Sequence, residues 1–280
     1  MDLKSVTLGV LGIGLCLVPQ LLQAQKATET IRRAYTPKPE ATLYLRNING
    51  SVEVEGYNGT EVQLVVKVSA DEEAQREISL GEYTEGKDIV LYLDAEWLNF
   101  NPRKPQNGYQ WDQGEHPNPE FQYDFTLKVP RTLSVDVGTI QLGDVLVKNI
   151  QANVYAYNIN GDVALENIGG TGGKAHTING DIDAIYTTVP DDPVDFHTIN
   201  GTINVTYPSS LAAAMTFESF NGNFYTDFDY ELLPVKMTSN EEHGNATTYR
   251  LESLTSIQVG RGGPTISFNN FNGNTYIRKR

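Results

Sequence analysis

Tyr157, His176, His197 and Glu218 follow one another at intervals of 19, 21 and 21 residues in a chain that has only four histidines. If each interval is one structural repeat, these side chains form one outward row, with imidazole beside imidazole and a carboxylate next in line. Imidazole and carboxylate suit transition metals. A flat row does not surround an ion, however, so the expectation is a polar surface ladder with no metal and no cofactor. The other candidates are aromatic. Trp97, Tyr109 and Trp111 lie in or beside residues 99–120, a stretch with Pro102, Pro105, Pro117 and Pro119 and no apolar period, which reads as a loop insertion. Loops of that length are uncommon unless functional or disordered. The plainer expectation is that its aromatics fold back on a sheet; the sharper one is that they join the His row as ligand contacts.

Catalytic chemistry finds little support. No strand–turn–helix nucleophile motif is present, and neither is a phosphate-cradling glycine loop or a His pair at helical spacing. The Gly-Gly-x-Gly-x-Asp pattern of calcium-binding coils is absent too. Asp162 and Asp181 occupy equivalent positions, as the acidic residues of a polysaccharide-cleaving β-helix would, but Asp beside Asn-Gly is ordinary turn chemistry. The expectation is a protein that is not an enzyme and has no catalytic residues.

The elements that must carry these side chains follow from a repeat. The pattern is an apolar residue, Asn-Gly, one variable residue, then alternating apolar positions. It occurs around Asn49-Gly50, Asn160-Gly161, Asn179-Gly180, Asn200-Gly201, Asn221-Gly222 and Asn272-Gly273, with a degenerate copy at Gly143. From Gly143 the successive steps are 18, 19, 21 and 21 residues. A constant period of this kind marks a stacked coil rather than a meander of hairpins. The fold class expected is all-β: a β-solenoid with turns of about 20 residues, preceded by a smaller strand-rich region. Gly50, Gly161, Gly180, Gly201, Gly222 and Gly273 are its corners, expected to need glycine for positive φ. Aligned on Asn, position −1 (Ile159, Ile178, Ile199, Phe220, Phe271) is expected inside. So are position +3 (Val163, Ile182, Ile203, Phe224) and position +5 (Leu165, Ala184, Val205, Ile277). An antiparallel sandwich is the alternative.

Before the repeats, 41–46 and 62–68 read as strands about a turn at 57–59, with a short helical stretch at 71–77. Residues 78–83 and 89–93 read as a hairpin turning at 85–87. Residues 257–259 and 265–268 read as a strand pair, and 239–248 as a polar turn. Residues 1–24 resemble a signal peptide, with Lys4, an apolar run from Val6 to Val18 and a small-residue site at Ala24. The single cysteine, Cys16, falls within it, so the mature chain is expected to lack disulfides and any transmembrane span. Residues 25–40 read as a linker, and 41–280 as one domain. Lys and Arg total 21 against 35 Asp and Glu, a net charge of −14. That disfavours nucleic acid, whose binding needs clustered cations.

The run Leu45–Val54, the successive Asn-Gly-Asp-Val/Ile turns and the stretch from Val259-Gly260-Arg261-Gly262-Gly263-Pro264 to Gly273 together resemble a bacterial adhesin domain family, long a domain of unknown function. The head-domain adhesins of Bacteroidetes envelopes share this architecture. The resemblance covers roughly 41–280, with 99–120 as an insertion. It implies an exported β-solenoid of the cell envelope, in the periplasm, at the outer surface or secreted. It would bind a protein or glycan at the cell surface, or serve as a scaffold there. The alternatives are a carbohydrate-active β-helix enzyme and a periplasmic sensor or assembly partner.

Overall fold

The computed structural model describes residues 27–101, 109–111, 120–234, 237–243, 246–251 and 255–280. The leader expected over 1–24, with Cys16, and most of the loop 99–120 lie outside them. The first strands are β1 (Ala27–Tyr35), β2 (Thr42–Arg46), β3 (Val52–Tyr57) and β4 (Val62–Ala70). A short helix follows, α1 (Glu72–Glu77), whose N-terminus is capped by the Asp71 carboxylate accepting from the Ala74 amide at 2.7 Å. Next come β5 (Ser79–Glu85), β6 (Asp88–Asp94), β7 (Leu98–Phe100), β8 (Tyr109–Trp111), β9 (Phe121–Pro130) and β10 (Ser134–Gly138). The repeats supply β11 (Val145–Lys148), β12 (Val154–Tyr157), β13 (Val163–Ile168), β14 (Gly173–His176), β15 (Ile182–Tyr186), β16 (Val194–Asn200) and β17 (Ile203–Tyr207). After them lie β18 (Ala213–Asn221), β19 (Phe224–Thr226), β20 (Tyr230–Leu232), β21 (Met237–His243) and β22 (Ala246–Leu251). The described chain ends with β23 (Thr255–Val259), β24 (Thr265–Asn272) and β25 (Thr275–Lys279). No helix among the described residues is long and apolar enough to cross a membrane.

The strands form a β-solenoid. Sheet one has the order β1-β4-β9-β3-β11-β13-β15-β17-β25-β19, and sheet two β20-β23-β18-β24-β16-β14-β12-β10-β2-β6-β5. Each rung from β2/β3 onward is a strand of sheet two followed, across an Asn-Gly corner or its equivalent, by a strand of sheet one. Neighbouring rungs pair in parallel and in register: Val145 with Val163, Val163 with Ile182, Ile182 with Ile203, Ile203 with Thr275. A parallel ladder cannot be closed by tight hairpins, and this excludes the sandwich.

Stacking does not follow the chain at either end. In space the rungs run β6/β9, β2/β3, β10/β11, β12/β13, β14/β15, β16/β17, β24/β25, β18/β19. The strand-rich region before the repeats therefore supplies two rungs of its own. Residues 27–35 of the segment read as a linker form the edge strand β1, antiparallel to β4. The later segment β24/β25 is inserted between the Gly201 and Gly222 rungs, which were expected to touch. The strand pair expected from 257–259 and 265–268 does not form, because β23 and β24 flank β18 on opposite sides. The helix at 72–77 and the hairpin β5/β6 stand where the pattern placed them.

Inside the coil the alternation holds at +3 and +5. Val163, Ile182, Ile203, Leu165, Ala184, Val205 and Ile277 are all buried, and Phe224 packs partly buried on them. Position −1 is different: Ile159, Ile178 and Ile199 are only half-buried, and Phe220 and Phe271 point to solvent. The inward residue of that corner is one step earlier, and it is polar. Asn47, Thr139, Asn158, Thr177, Thr198 and Asn270 are all buried. Each donates to a backbone carbonyl of the adjacent rung: Thr139 Oγ1 to Gly50 at 2.8 Å, Thr177 Oγ1 to Gly161 at 2.8 Å, Thr198 Oγ1 to Gly180 at 3.0 Å. Asn158 and Asn270 Nδ2 do the same to Gly143 and Gly201 at 3.0 Å, and Asn47 to Tyr123 at 2.8 Å. The corner turns its carbonyl inward, so an apolar side chain there would strand a buried acceptor.

The glycines are required for space more than for φ. Only Gly50, Gly161 and Gly273 among the corner glycines have positive φ, at 117°, 156° and 147°. At every corner, though, a Cβ would collide with the backbone of the rung beneath: Gly180 with the Gly161 carbonyl, Gly201 with that of Gly180, Gly273 with that of Gly201, Gly222 with that of Gly273. Gly201→Ala is therefore expected to cost about 3 kcal/mol or more in urea unfolding, at the upper end of overpacking penalties. Gly169→Ala is the control, since its nearest neighbour is the movable hydroxyl of Thr187 at 3.1 Å. It should stay within about 1 kcal/mol of the parent.

Candidate functional site

Three polar columns run along the coil, and the candidate residues belong to one of them. At the Asn-Gly corner the amides form a ladder. Asn179 Nδ2 donates to Asn160 Oδ1 at 2.9 Å, Asn200 to Asn179 at 2.8 Å, Asn272 to Asn200 at 2.9 Å and Asn221 to Asn272 at 2.9 Å. Two residues on, Asp144, Asp162 and Asp181 accept from the backbone amides of Asp162, Asp181 and Thr202 at 2.8, 2.8 and 2.7 Å. These carboxylates are committed to the turns, as the turn reading expected.

The third column is the outer face of sheet two. Parallel register brings Tyr157, His176 and His197 side by side on β12, β14 and β16. The rings of Tyr157 and His176 lie edge to face at 5.5 Å, and His176 and His197 are also 5.5 Å apart. Glu218 is not next in line. The inserted strand β24 places Asn269 beside His197, and Glu218 follows on β18, accepting from Asn269 Nδ2 at 3.2 Å. His176 Nε2 is already bound to Asp195 Oδ2 at 2.8 Å. Among the described residues no group of three or more His, Cys, Asp and Glu side chains is placed to hold a metal ion.

The same face continues from Tyr157 to a buried cation. Gly138 lies between Tyr157 and Arg46 in the ladder and has no side chain. Arg46 fills that gap, with its guanidinium 5.6 Å from the Tyr157 ring centre. Nη2 bonds Asp136 Oδ1 at 2.7 Å and Nη1 bonds the Asp136 carbonyl at 2.7 Å. A charge this buried is tolerated only when paired and hydrogen-bonded. Over it folds the pair β7/β8. Tyr109 is buried, its hydroxyl accepting from Leu93 N at 2.6 Å and donating to Arg46 O at 3.0 Å. Phe100 stacks on Tyr92 at 4.4 Å. Trp97 is partly buried and donates to Glu77 at 3.2 Å. The backbone of Trp111 pairs with Leu98. The structure thus separates Trp97 and Tyr109, which hold the insertion on the sheet, from the His row two rungs away.

Electrostatics on this face have a definite sign. Burial, and then the neighbouring His176, hold His197 below its usual value of 6.5, outweighing Asp195 and Glu218. Burial alone would raise Asp195, but its bond to His176 and the nearby charges of His176, Lys174 and His197 bring it below the carboxylate range.

Sequence patterning misplaced a second set of residues. Phe220 and Phe271, expected inside, are 74% and 48% exposed and stack face to face at 5.0 Å. Across the corner, on the outer face of sheet one, Tyr225 stacks on Tyr276 at 5.0 Å, with Arg278 5.6 Å from the Tyr276 ring. The available signal was the replacement of Ile by Phe at position −1 in two copies only, which are the two terminal rungs. Beside these rings a cavity of about 300 Å³ opens at the mouth of the coil among Phe217, Phe224 and Phe268, with Glu218, Ser219 and Asn223 on it.

Residues 128–253 match the family described as Toastrack DUF4097, as the resemblance in the sequence anticipated. No curated protein matches the chain. Solved structures to which the chain is similar include one provisionally named a cell adhesion protein, from Clostridium sporogenes. It is 12% identical, with 91% of this chain and 100% of that one covered and a TM-score of 0.47. One provisionally named an adhesin, from Bacteroides fragilis, is 12% identical over 90% and 97%, with a TM-score of 0.35. One provisionally named a lipid binding protein, from Parabacteroides distasonis, is 11% identical over 90% and 96%, with a TM-score of 0.31.

Because the folded state keeps His197 neutral, its share of stability is whole above its usual 6.5 and is lost as pH falls below that value. Asp195 adds a further loss as pH falls through its own lowered value. His197→Gln is expected to flatten the decline of the melting temperature between about pH 7 and pH 5, the range in which histidine charges. The steeper decline at lower pH should remain, as read by calorimetry across that range.

Proposed function

We propose that this chain, whose residues 128–253 carry the Toastrack match, is a non-enzymatic binding module of the cell envelope, exported and engaging a protein or glycan partner through the outside of its coil. The observation that carries this reading is the concentration of exposed aromatic rings on the two terminal rungs. Large apolar side chains are exposed together on soluble proteins chiefly where something binds. Here the exposed Phe220, Phe271 and Tyr225 and the half-buried Tyr276 stand in two stacked pairs on either side of one corner, beside the open mouth at Phe217 and Phe224.

The rest of the surface fits the same role. The polar side chains that a hydrolase would use, Asp144, Asp162 and Asp181, are spent on backbone amides. The His176–Asp195 pair lies on an open sheet face rather than in a cleft. In-register ladders make the coil stiff, so the rings are held in place without a partner and little ordering entropy is lost on binding.

The test uses the full chain and its Phe220→Ser/Phe271→Ser variant, on arrays of surface glycans and on bacterial cells. The parent is expected to be retained without releasing reducing ends, and the variant to bind at least tenfold more weakly at an unchanged melting temperature. Equal binding by the variant, or release of reducing ends by the parent, would overturn the reading.

A further inference from the structure

The corner opposite the Asn-Gly ladder, where strands of sheet one return to sheet two, carries a cleft of a different character. Two adjoining cavities, of about 270 and 300 Å³, share Gly59, Thr60, Pro130 and Thr132. Together they reach the lower end of the range for small-molecule sites, roughly 300–1,000 Å³. The first cavity is lined by Asn58, Thr60, Arg131, Thr132 and Gln151 along with Tyr57, Gly59 and Pro130. In a chain with 35 acidic residues, that lining holds a guanidinium and no carboxylate. In the second cavity both charges of consequence are occupied: Lys38 donates to the Gly86 carbonyl at 2.8 Å, and Glu40 faces Lys87 at 3.5 Å.

Arg131 is held in place by its backbone. Its amide donates to the Tyr57 carbonyl at 3.2 Å, and its own carbonyl accepts from Gln151 N at 2.7 Å, fixing it in the column between two rungs. Its Nε is buried and has no hydrogen-bond partner. The rest of the guanidinium borders the cavity, and the ligand that matches its planar fork is a planar anion. Around it the amides of Asn58 and Gln151 and the hydroxyls of Thr60 and Thr132 offer donors and acceptors of the kind that hydroxyl groups satisfy, while Pro130 gives a rigid wall.

We infer that this cleft is a subsite for a carboxylated sugar, its carboxylate on Arg131 and its hydroxyls on Asn58, Thr60, Thr132 and Gln151. The inference rests on the reading of the protein as a binding module, whose ligand class it specifies. A net charge of −14 repels acidic polymers at long range, so recognition falls to this short-range contact, and added salt should weaken the repulsion rather than the fit.

Calorimetric titration of the full chain with trigalacturonate, free galacturonate and neutral galactotriose tests it. Saturable binding of trigalacturonate is expected, at least tenfold weaker for Arg131→Gln at an unchanged melting temperature, with galactotriose bound no better than trigalacturonate is by that variant. Free galacturonate matching the trimer would assign the site to a single sugar, and a tighter trimer to a polysaccharide; both support the subsite. Absence of saturable uronate binding, equal affinity in Arg131→Gln, or galactotriose binding as tightly as trigalacturonate would each overturn it. If Arg131→Gln does not fold, Gln151→Leu is read instead, with at least a threefold loss expected and unchanged affinity overturning the site. Loss of this site with adhesion through Phe220 and Phe271 intact would overturn this inference alone.

Discussion

At each Asn-Gly corner the backbone of one rung rests on the backbone of the next with no side chain between them, and the spacing of the entire coil is set there. Glycine permits the approach, and the carbonyl it uncovers must be satisfied inside the protein. The buried Thr or Asn one step before the apolar position does this at six junctions, from Asn47 to Asn270. Outside, the Asn ladder and the Asp caps take up the remaining amide groups. The corner is thus a polar spine hydrogen-bonded on both faces, and the apolar ladders at +3 and +5 pack in the register it imposes.

How much of this the sequence disclosed depends on whether a feature is local. The period, the +3 and +5 columns, the short helical stretch at 71–77 and the adjacency of His176 and His197 are consequences of residue spacing, and they read correctly. The position of Phe220 and Phe271 did not, because an apolar residue beside Asn-Gly looks like core. The true inward position is occupied by Thr177, Thr198 and their equivalents, which resemble turn residues. Only the demand of a buried carbonyl distinguishes them, and that demand exists only once rungs are stacked. The neighbour of His197 was misread for another reason. Period alone places Glu218 beside it, whereas the actual neighbour, Asn269, is 72 residues away in the chain, and no local pattern encodes an insertion of that reach.

The surface divides according to what the interior leaves over. Along the outer face of sheet two, charge is consumed in pairs, Arg46 with Asp136 and His176 with Asp195, and the β7/β8 pair seals one end through Tyr109. At the other end the core itself changes, from Ala156 and Ala175 in the middle rungs to the stacked rings of Phe196, Phe268 and Phe217. The aromatic character of that end therefore continues from the inside to the outside of the coil, and the closed and open ends of the molecule differ in chemistry.

The placement of β24/β25 has a consequence for how the molecule is made. A ribosome delivers β16/β17 and β18/β19 before the piece that belongs between them, so two facing ladders must wait unjoined for residues 265–279. A chain without this piece keeps both flanking segments but leaves unpaired the strand edges that face it, and takes Phe268 from between Phe196 and Phe217.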